Sequence, residues 1–179
     1  MNNMDILVLY IYPLLYISPC YAANAAPLFL DSLFDKKRPL DMGKRFVDGK
    51  RIFGDGKTLE GTLFGILTGF VYFFTLYILS KSLGIELYSN WIEGILLVTG
   101  TMFGDVFGSF IKRRMGIERG EMLPIFDQTG FLIFAIIFRS IAFGPLPYDF
   151  VIYVFMITFI VHIFTNISAF KMGLKKKPY

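Results

Sequence analysis

Residues 91–114 read WIEGILLVTGTMFGDVFGSFIKRR. From Trp91 to Ile111 this run has the length of a membrane span, because a hydrocarbon core of about 30 Å needs about 20 residues of helix. It closes on Lys112, Arg113 and Arg114, the flank of a span that stops at a basic membrane surface. Four further runs of similar character surround it: Ile6–Leu30, Leu59–Leu79, Pro124–Phe143 and Tyr148–Phe170. The expectation is an all-α polytopic membrane protein of about five transmembrane helices. Residues 1–179 would form one integral membrane domain, with loops 31–58 and 112–123 on the same side. Gly144-Pro145-Leu146-Pro147 cannot continue a helix, so the last two spans should form a hairpin.

Composition agrees with this reading. The chain is 55% hydrophobic, 18% aromatic and 18% charged, with its charges bunched between apolar runs. Its mean hydropathy is +0.58. A net charge of +4 is a feature shared with nucleic-acid-binding chains. Basic residues beside apolar spans point instead to membrane lipids or a phosphorylated ligand, so no nucleic-acid partner is expected. Cys20 stands alone, which excludes a disulfide framework and a thiolate metal site. Ala22-Ala23-Asn24-Ala25 resembles a signal cleavage site, but no basic stretch precedes it and Lys36, Lys37 and Arg38 follow, so the segment reads as a retained helix.

The basic residues also orient the chain. Eight lie in residues 31–58, four in 112–123 (Lys112, Arg113, Arg114, Arg119) and four in the tail, against only Lys81 and Arg139 on the other side. The positive-inside rule then puts the N-terminus outside and the C-terminus in the cytoplasm of a cell-membrane protein. Arg139 would snorkel to the outer interface, and Lys175–Lys177 would anchor the topology. Gly61, Gly65 and Gly69, and likewise Gly100, Gly104 and Gly108, recur every four residues, a pattern that marks close packing of the second and third helices as a pair. The Phe-rich stretch Val71–Tyr77 reads as lipid-facing.

Ionisable residues inside a span are costly unless paired, wetted or bound to an ion. Asp105 is the clearest case, with Ser109, Lys112 and Arg113 following it toward the basic end of the third helix. Asp127 opens the fourth helix, Glu60 opens the second after Lys57, and Asn24 lies near the inner end of the first. Two aspartates among several cations suit Mg²⁺ and a polyphosphate, because Mg²⁺ binds through one or two carboxylates plus phosphate oxygens. The same acids could instead pair with Lys112 or Arg113 merely to satisfy buried charge. Gly54-Asp55-Gly56-Lys57-Thr58 lacks the spacing of a Walker A loop. It could offer backbone N–H groups to phosphate, or Thr58 could be a plain helix N-cap. The single histidine, His162, reads as a satisfied buried side chain.

Together these segments resemble a known family. Lys57-Thr58-Leu59-Glu60-Gly61 is similar to the Lys-Thr-x-Glu-Gly element of the CDP-diacylglycerol synthases, the membrane phosphatidate cytidylyltransferases. Gly104-Asp105, Ser109, Lys112-Arg113 and Gly116 match that family's Gly-Asp-x₃-Ser-x₂-Lys-Arg-x₂-Gly run, and Pro124 with Asp127 resembles its Pro…Asp close. The likeness covers about Asn24 to Gly130. The chain departs from the bacterial and eukaryotic members, because Pro124–Gly130 replaces their His-Gly-Gly stretch and Asp-Arg pair. The short length and Asn24-Ala25-Ala26-Pro27 resemble the archaeal branch, the CDP-archaeol synthases.

That resemblance implies transfer of CMP from CTP to an unsaturated archaetidic acid (2,3-bis-O-geranylgeranylglycerol 1-phosphate), with Mg²⁺ and release of pyrophosphate. The lipid phosphate would be the nucleophile. Asp105 and Asp127 would hold the metal, and Lys57, Lys112 and Arg113 would meet the CTP phosphates. Asn24, Thr58, Glu60 and Ser109 would complete the polar shell. A homodimer is compatible with this pattern. The rival readings are a CTP-dependent polyprenol or phytol kinase, and a small cation or solute carrier.

Overall fold

A computed structural model describes residues 7–33, 37–123 and 125–171. Pro124, Lys36 and the Lys175–Lys177 anchor lie outside the described residues, as does the start of the first span at Ile6. Five helices follow in order: α1 (Tyr12–Leu33, entered through one wide turn at Leu7–Ile11), α2 (Leu59–Ser82), α3 (Trp91–Arg114), α4 (Phe126–Phe143) and α5 (Tyr148–Lys171). Among the described residues there is no named strand, only two isolated bridges in the loop before α2.

Four helices, α2 to α5, are long and apolar enough to cross a membrane. The fifth, α1, is not among them on composition. Its 22 residues rise about 33 Å, enough for a span. Its sequence is less apolar because it occupies the centre of the bundle, touching all four other helices. Pro19 and Pro27 lie inside it. Ile17, Cys20 and Ala23 are fully buried there.

The glycine stripes do pack closely, but not as expected against each other. The Gly65 and Gly69 positions lie on α1 and on α3 side chains: a Cβ at Gly65 would sit 2.8 Å from the Ala23 carbonyl, and one at Gly69 2.8 Å from Ala23 Cβ. Pro27 has no N–H to give that carbonyl within the helix, so α2 approaches an exposed backbone oxygen. The second stripe faces α4. A Cβ at Gly100 would stand 2.6 Å from the Phe134 carbonyl, and one at Gly104 2.9 Å from that of Gly130. Two tight pairs result, α1 with α2 and α3 with α4. In lipid such close approach supplies the packing that water exclusion supplies elsewhere.

Two other expectations need correction. Phe73 is not lipid-facing like Val71 and Tyr72; it is fully buried, filling the space left by Gly94 of α3. Arg139 does not snorkel. Its Nε donates to Glu93 Oε1 at 2.8 Å and to the Tyr16 hydroxyl at 2.9 Å, and its Nη1 to the Gly144 carbonyl at 2.6 Å. Glu93 is 1% exposed and also accepts from Tyr16 (2.5 Å) and the Ser89 N–H (2.8 Å). This cluster joins α1, α3 and α4 at the end of the bundle away from the basic loops. An arginine close to a helix end looks like a snorkelling side chain until a buried acid is found beside it.

Candidate functional site

The loop before α2 is held by one acid. Asp41 accepts from the N–H groups of Gly43, Phe53 and Gly54 (3.1, 2.9 and 2.9 Å) and from Arg51 Nη2 at 2.6 Å. Burial opposes its charge, but the Arg51 guanidinium and these N–H groups outweigh it and hold the carboxyl well below the usual carboxylate range. Backbone bonds from Leu40 N–H to the Lys57 carbonyl (2.8 Å) and from Leu59 N–H to the Arg38 carbonyl (2.9 Å) clamp the two ends of the loop together. Arg114 docks the loop on the end of α3. It pairs with Asp48 at 2.9 Å, donates to the Arg51 carbonyl and lies over the Phe46 and Phe110 rings. Lys57 is therefore presented from a fixed frame.

Thr58 is the N-cap of α2, its Oγ1 accepting from the Gly61 N–H at 3.1 Å. From that position Lys57 reaches α3, and its Nζ donates to both carboxylate oxygens of Asp105 at 2.6 Å. Seven residues further along α3, Lys112 Nζ donates to Asp127 Oδ2 at 2.7 Å, and the same oxygen accepts from the Leu123 N–H at 2.9 Å. Ile125, between them, sits at φ 67°, in the left-handed region that β-branched residues avoid. That sharp entry turns the first residues of α4 back toward α3.

Both pairs line one open cleft of about 370 Å³ at the basic end of the bundle. Asn24 and Pro27 of α1, Gly61 and Thr62 of α2, Asp105, Ser109 and Lys112 of α3, Asp127 of α4 and His162 of α5 form its wall, with Gly56, Lys57 and Thr58 from the loop. Seven of the nine residues picked from the sequence thus meet there: Asn24, Lys57, Thr58, Asp105, Ser109, Lys112 and Asp127.

Arg113 and Glu60 do not line the cleft. At 3.6 residues per turn Lys112 lies almost under Asp105, whereas Arg113 overshoots by roughly 80°. Arg113 packs on the loop instead, its Cδ 3.5 Å from where a Cβ of Gly54 would be. Glu60 points away beside the inward Gly61 and pairs with Arg38, accepting from its Nε at 2.7 Å and its N–H at 2.9 Å. His162, expected as a satisfied buried side chain, does meet Asn166 Nδ2 at 3.2 Å through its Nδ1, but it is only half-buried and forms part of the cleft wall. A lone histidine carries no sequence signal for this, because only the position of α5 brings it to the site.

A family model described as "CarS-like: CDP-archaeol synthase" matches residues 4–179. The chain belongs to the CDP-archaeol synthase family. It is 39% identical to the CDP-archaeol synthase of Methanococcus aeolicus, over 96% of this chain and 98% of that one. It is 38% identical to that of Methanocaldococcus jannaschii (89% and 92% covered) and 41% to that of Pyrococcus horikoshii (92% and 94%). A solved structure described as an intramembrane enzyme for archaeal membrane lipids biosynthesis superposes with a TM-score of 0.71 at 34% identity, covering 86% of this chain and 92% of that one. Members of this CDP-archaeol synthase family are cytidylyltransferases.

Proposed function

We propose that this chain transfers CMP from CTP to 2,3-bis-O-geranylgeranylglycerol 1-phosphate, giving a CDP-archaeol-type lipid and pyrophosphate. The observation that carries this reading is the pair of Asp–Lys contacts, Asp105 with Lys57 and Asp127 with Lys112, on one open cleft. A phosphate oxygen of the lipid forms the new bond to the α-phosphorus of CTP. The bond from that phosphorus to the oxygen bridging to the β-phosphate breaks, and pyrophosphate leaves with its electron pair. The protein's part is positioning and charge stabilisation.

Asp105 and Asp127 are the groups that would hold Mg²⁺. Two carboxylates on one open cleft suit a hard cation that completes its shell with substrate oxygens. Bound there, the ion would supply positive charge to the phosphate chain. Lys57 and Lys112 move from carboxylate to phosphate oxygens as the nucleotide enters, and Lys112 then faces the charge that builds on the leaving pyrophosphate. Asn24, Thr58 and Ser109 supply hydrogen bonds from three sides. The lipid phosphate enters from the membrane side, where Pro27, Leu28, Phe126 and Phe131 make the wall apolar. The crowd of lysines and arginines around this end supports an N-terminus outside and a cleft open to the cytoplasm of the cell membrane.

Purified protein supplied with labelled CTP, Mg²⁺ and the ether-isoprenoid phosphate should release pyrophosphate and leave CMP on the lipid. Release of CDP would make it a kinase, and turnover of neither product would overturn the proposal. A diacyl phosphate run in parallel reads chain selectivity.

A further inference from the structure

A second lobe of about 200 Å³ adjoins the cleft and shares Lys112, Asp127 and His162 with it. A space of that size takes a fragment of a ligand rather than a whole one. Its polar wall includes Asn166, whose Nδ2 lies 3.2 Å from His162 Nδ1, and Gln128 of α4. Gln128 is 5% exposed, and its Oε1 is buried with no hydrogen-bond partner among the described residues. Its Nε2 donates to Met122 Sδ at 3.4 Å. That contact fixes the orientation of the amide, since a flipped amide would set its carbonyl oxygen against the sulfur lone pairs. A buried acceptor without a donor is costly, so this oxygen calls for a ligand that brings an N–H or O–H.

We propose that the lobe is the base subsite and that Gln128 Oε1 reads the 4-amino group of cytosine. This inference rests on the proposed use of CTP. With its phosphates at Lys57 and Lys112, the nucleotide has the lobe directly beside it. The lipid substrate cannot satisfy Gln128, because ether oxygens and an ionised phosphate only accept. Cytosine presents an amino donor at C4, where uracil presents a carbonyl acceptor, and carboxylate or amide oxygens are natural partners for that amino group. A small turn about the last, soft torsion brings Oε1 toward a donor offered in the lobe while Nε2 stays on Met122 Sδ. Uracil would set its carbonyl oxygen against the buried Gln128 Oε1, two acceptors face to face with no proton between them. Gln128 is thus the residue that separates CTP from UTP.

The test is equilibrium binding of CTP, UTP, dCTP and inorganic tripolyphosphate, each with Mg²⁺, to the full-length protein in lipid nanodiscs. Wild type should prefer CTP over UTP. In Gln128→Leu that preference should fall by about tenfold or more, the scale of one lost buried hydrogen bond. Tripolyphosphate affinity and the CTP-to-dCTP ratio should not change. Gln128→Glu retains an acceptor and should keep the preference for CTP. An unchanged CTP-to-UTP ratio in Gln128→Leu overturns the assignment. So does a change confined to the CTP-to-dCTP ratio, which would mean that the ribose is what Gln128 touches. If wild type binds CTP and Asp105→Asn abolishes that binding, either result sinks this inference alone. Wild type that binds no nucleotide overturns the proposed function as well.

Discussion

The Lys57–Asp105 pair offers a test that separates catalysis from charge balance. Both side chains are about a quarter exposed, 24% and 23%, and their contact is 2.6 Å. At that exposure the pair contributes about 1 kcal/mol or less to stability, because solvent screens it. If charge balance were its whole purpose, Asp105→Asn and Lys57→Met would each do harm by orphaning the other charge. The double variant, with neither charge, would then recover. If Asp105 holds the metal and Lys57 the phosphates, the double variant has lost both tools. Loss of one such electrostatic contact costs about 10²–10³ in turnover, or ~3–4 kcal/mol. The double variant should then be at least as slow as the slower single one, while its thermal midpoint stays within a few degrees of wild type. The assay is the initial rate of pyrophosphate release in nanodiscs, with unfolding followed in the same preparation. Recovery of the double variant to within about tenfold of wild type would refute the reasoning.

Three further outcomes are expected. Glu93→Ala leaves Arg139 as an uncompensated charge in the bundle and should cost about 3–5 kcal/mol in thermal unfolding; Glu93→Ala with Arg139→Met should regain most of it, with turnover at low temperature little changed because the cleft lies at the other end of the helices. Gly100→Ala places a methyl 2.6 Å from the Phe134 carbonyl, so α3 and α4 must part, at about 1–3 kcal/mol; since those helices carry Asp105 and Asp127, turnover should fall in parallel. Asp41→Asn removes a carboxylate whose folded-state pKa is depressed. The stability it confers on the loop is complete above the unfolded value of about 3.9 and drains away as pH falls toward the lower folded value. Protease resistance of the loop in wild type should therefore exceed that of the variant at neutral pH and converge with it in strong acid.

The sequence by itself determined that five hydrophobic segments would form helices, because their length and composition leave the backbone few other ways to satisfy its hydrogen bonds in lipid. It also singled out Asp105 and Asp127 as carboxylates too costly to be incidental, and both line one cleft, but it passed over Glu93 and Asp41. The Gly104-Asp105 run carried Ser109 and Lys112 with it, because four and seven residues return to the same face of a helix. Local spacing could not reach further. Which lysine meets which aspartate depends on a loop stapled by Asp41 and on the turn at Ile125. The partners of the two glycine stripes, the Glu93–Arg139 lock, the outward turn of Glu60, and the arrival of His162 at the cleft and of Gln128 at the adjoining lobe all depend on how helices distant in sequence rotate against one another. Those rotations are fixed by backbone-to-backbone contact at small residues, and only the assembled bundle has such contacts.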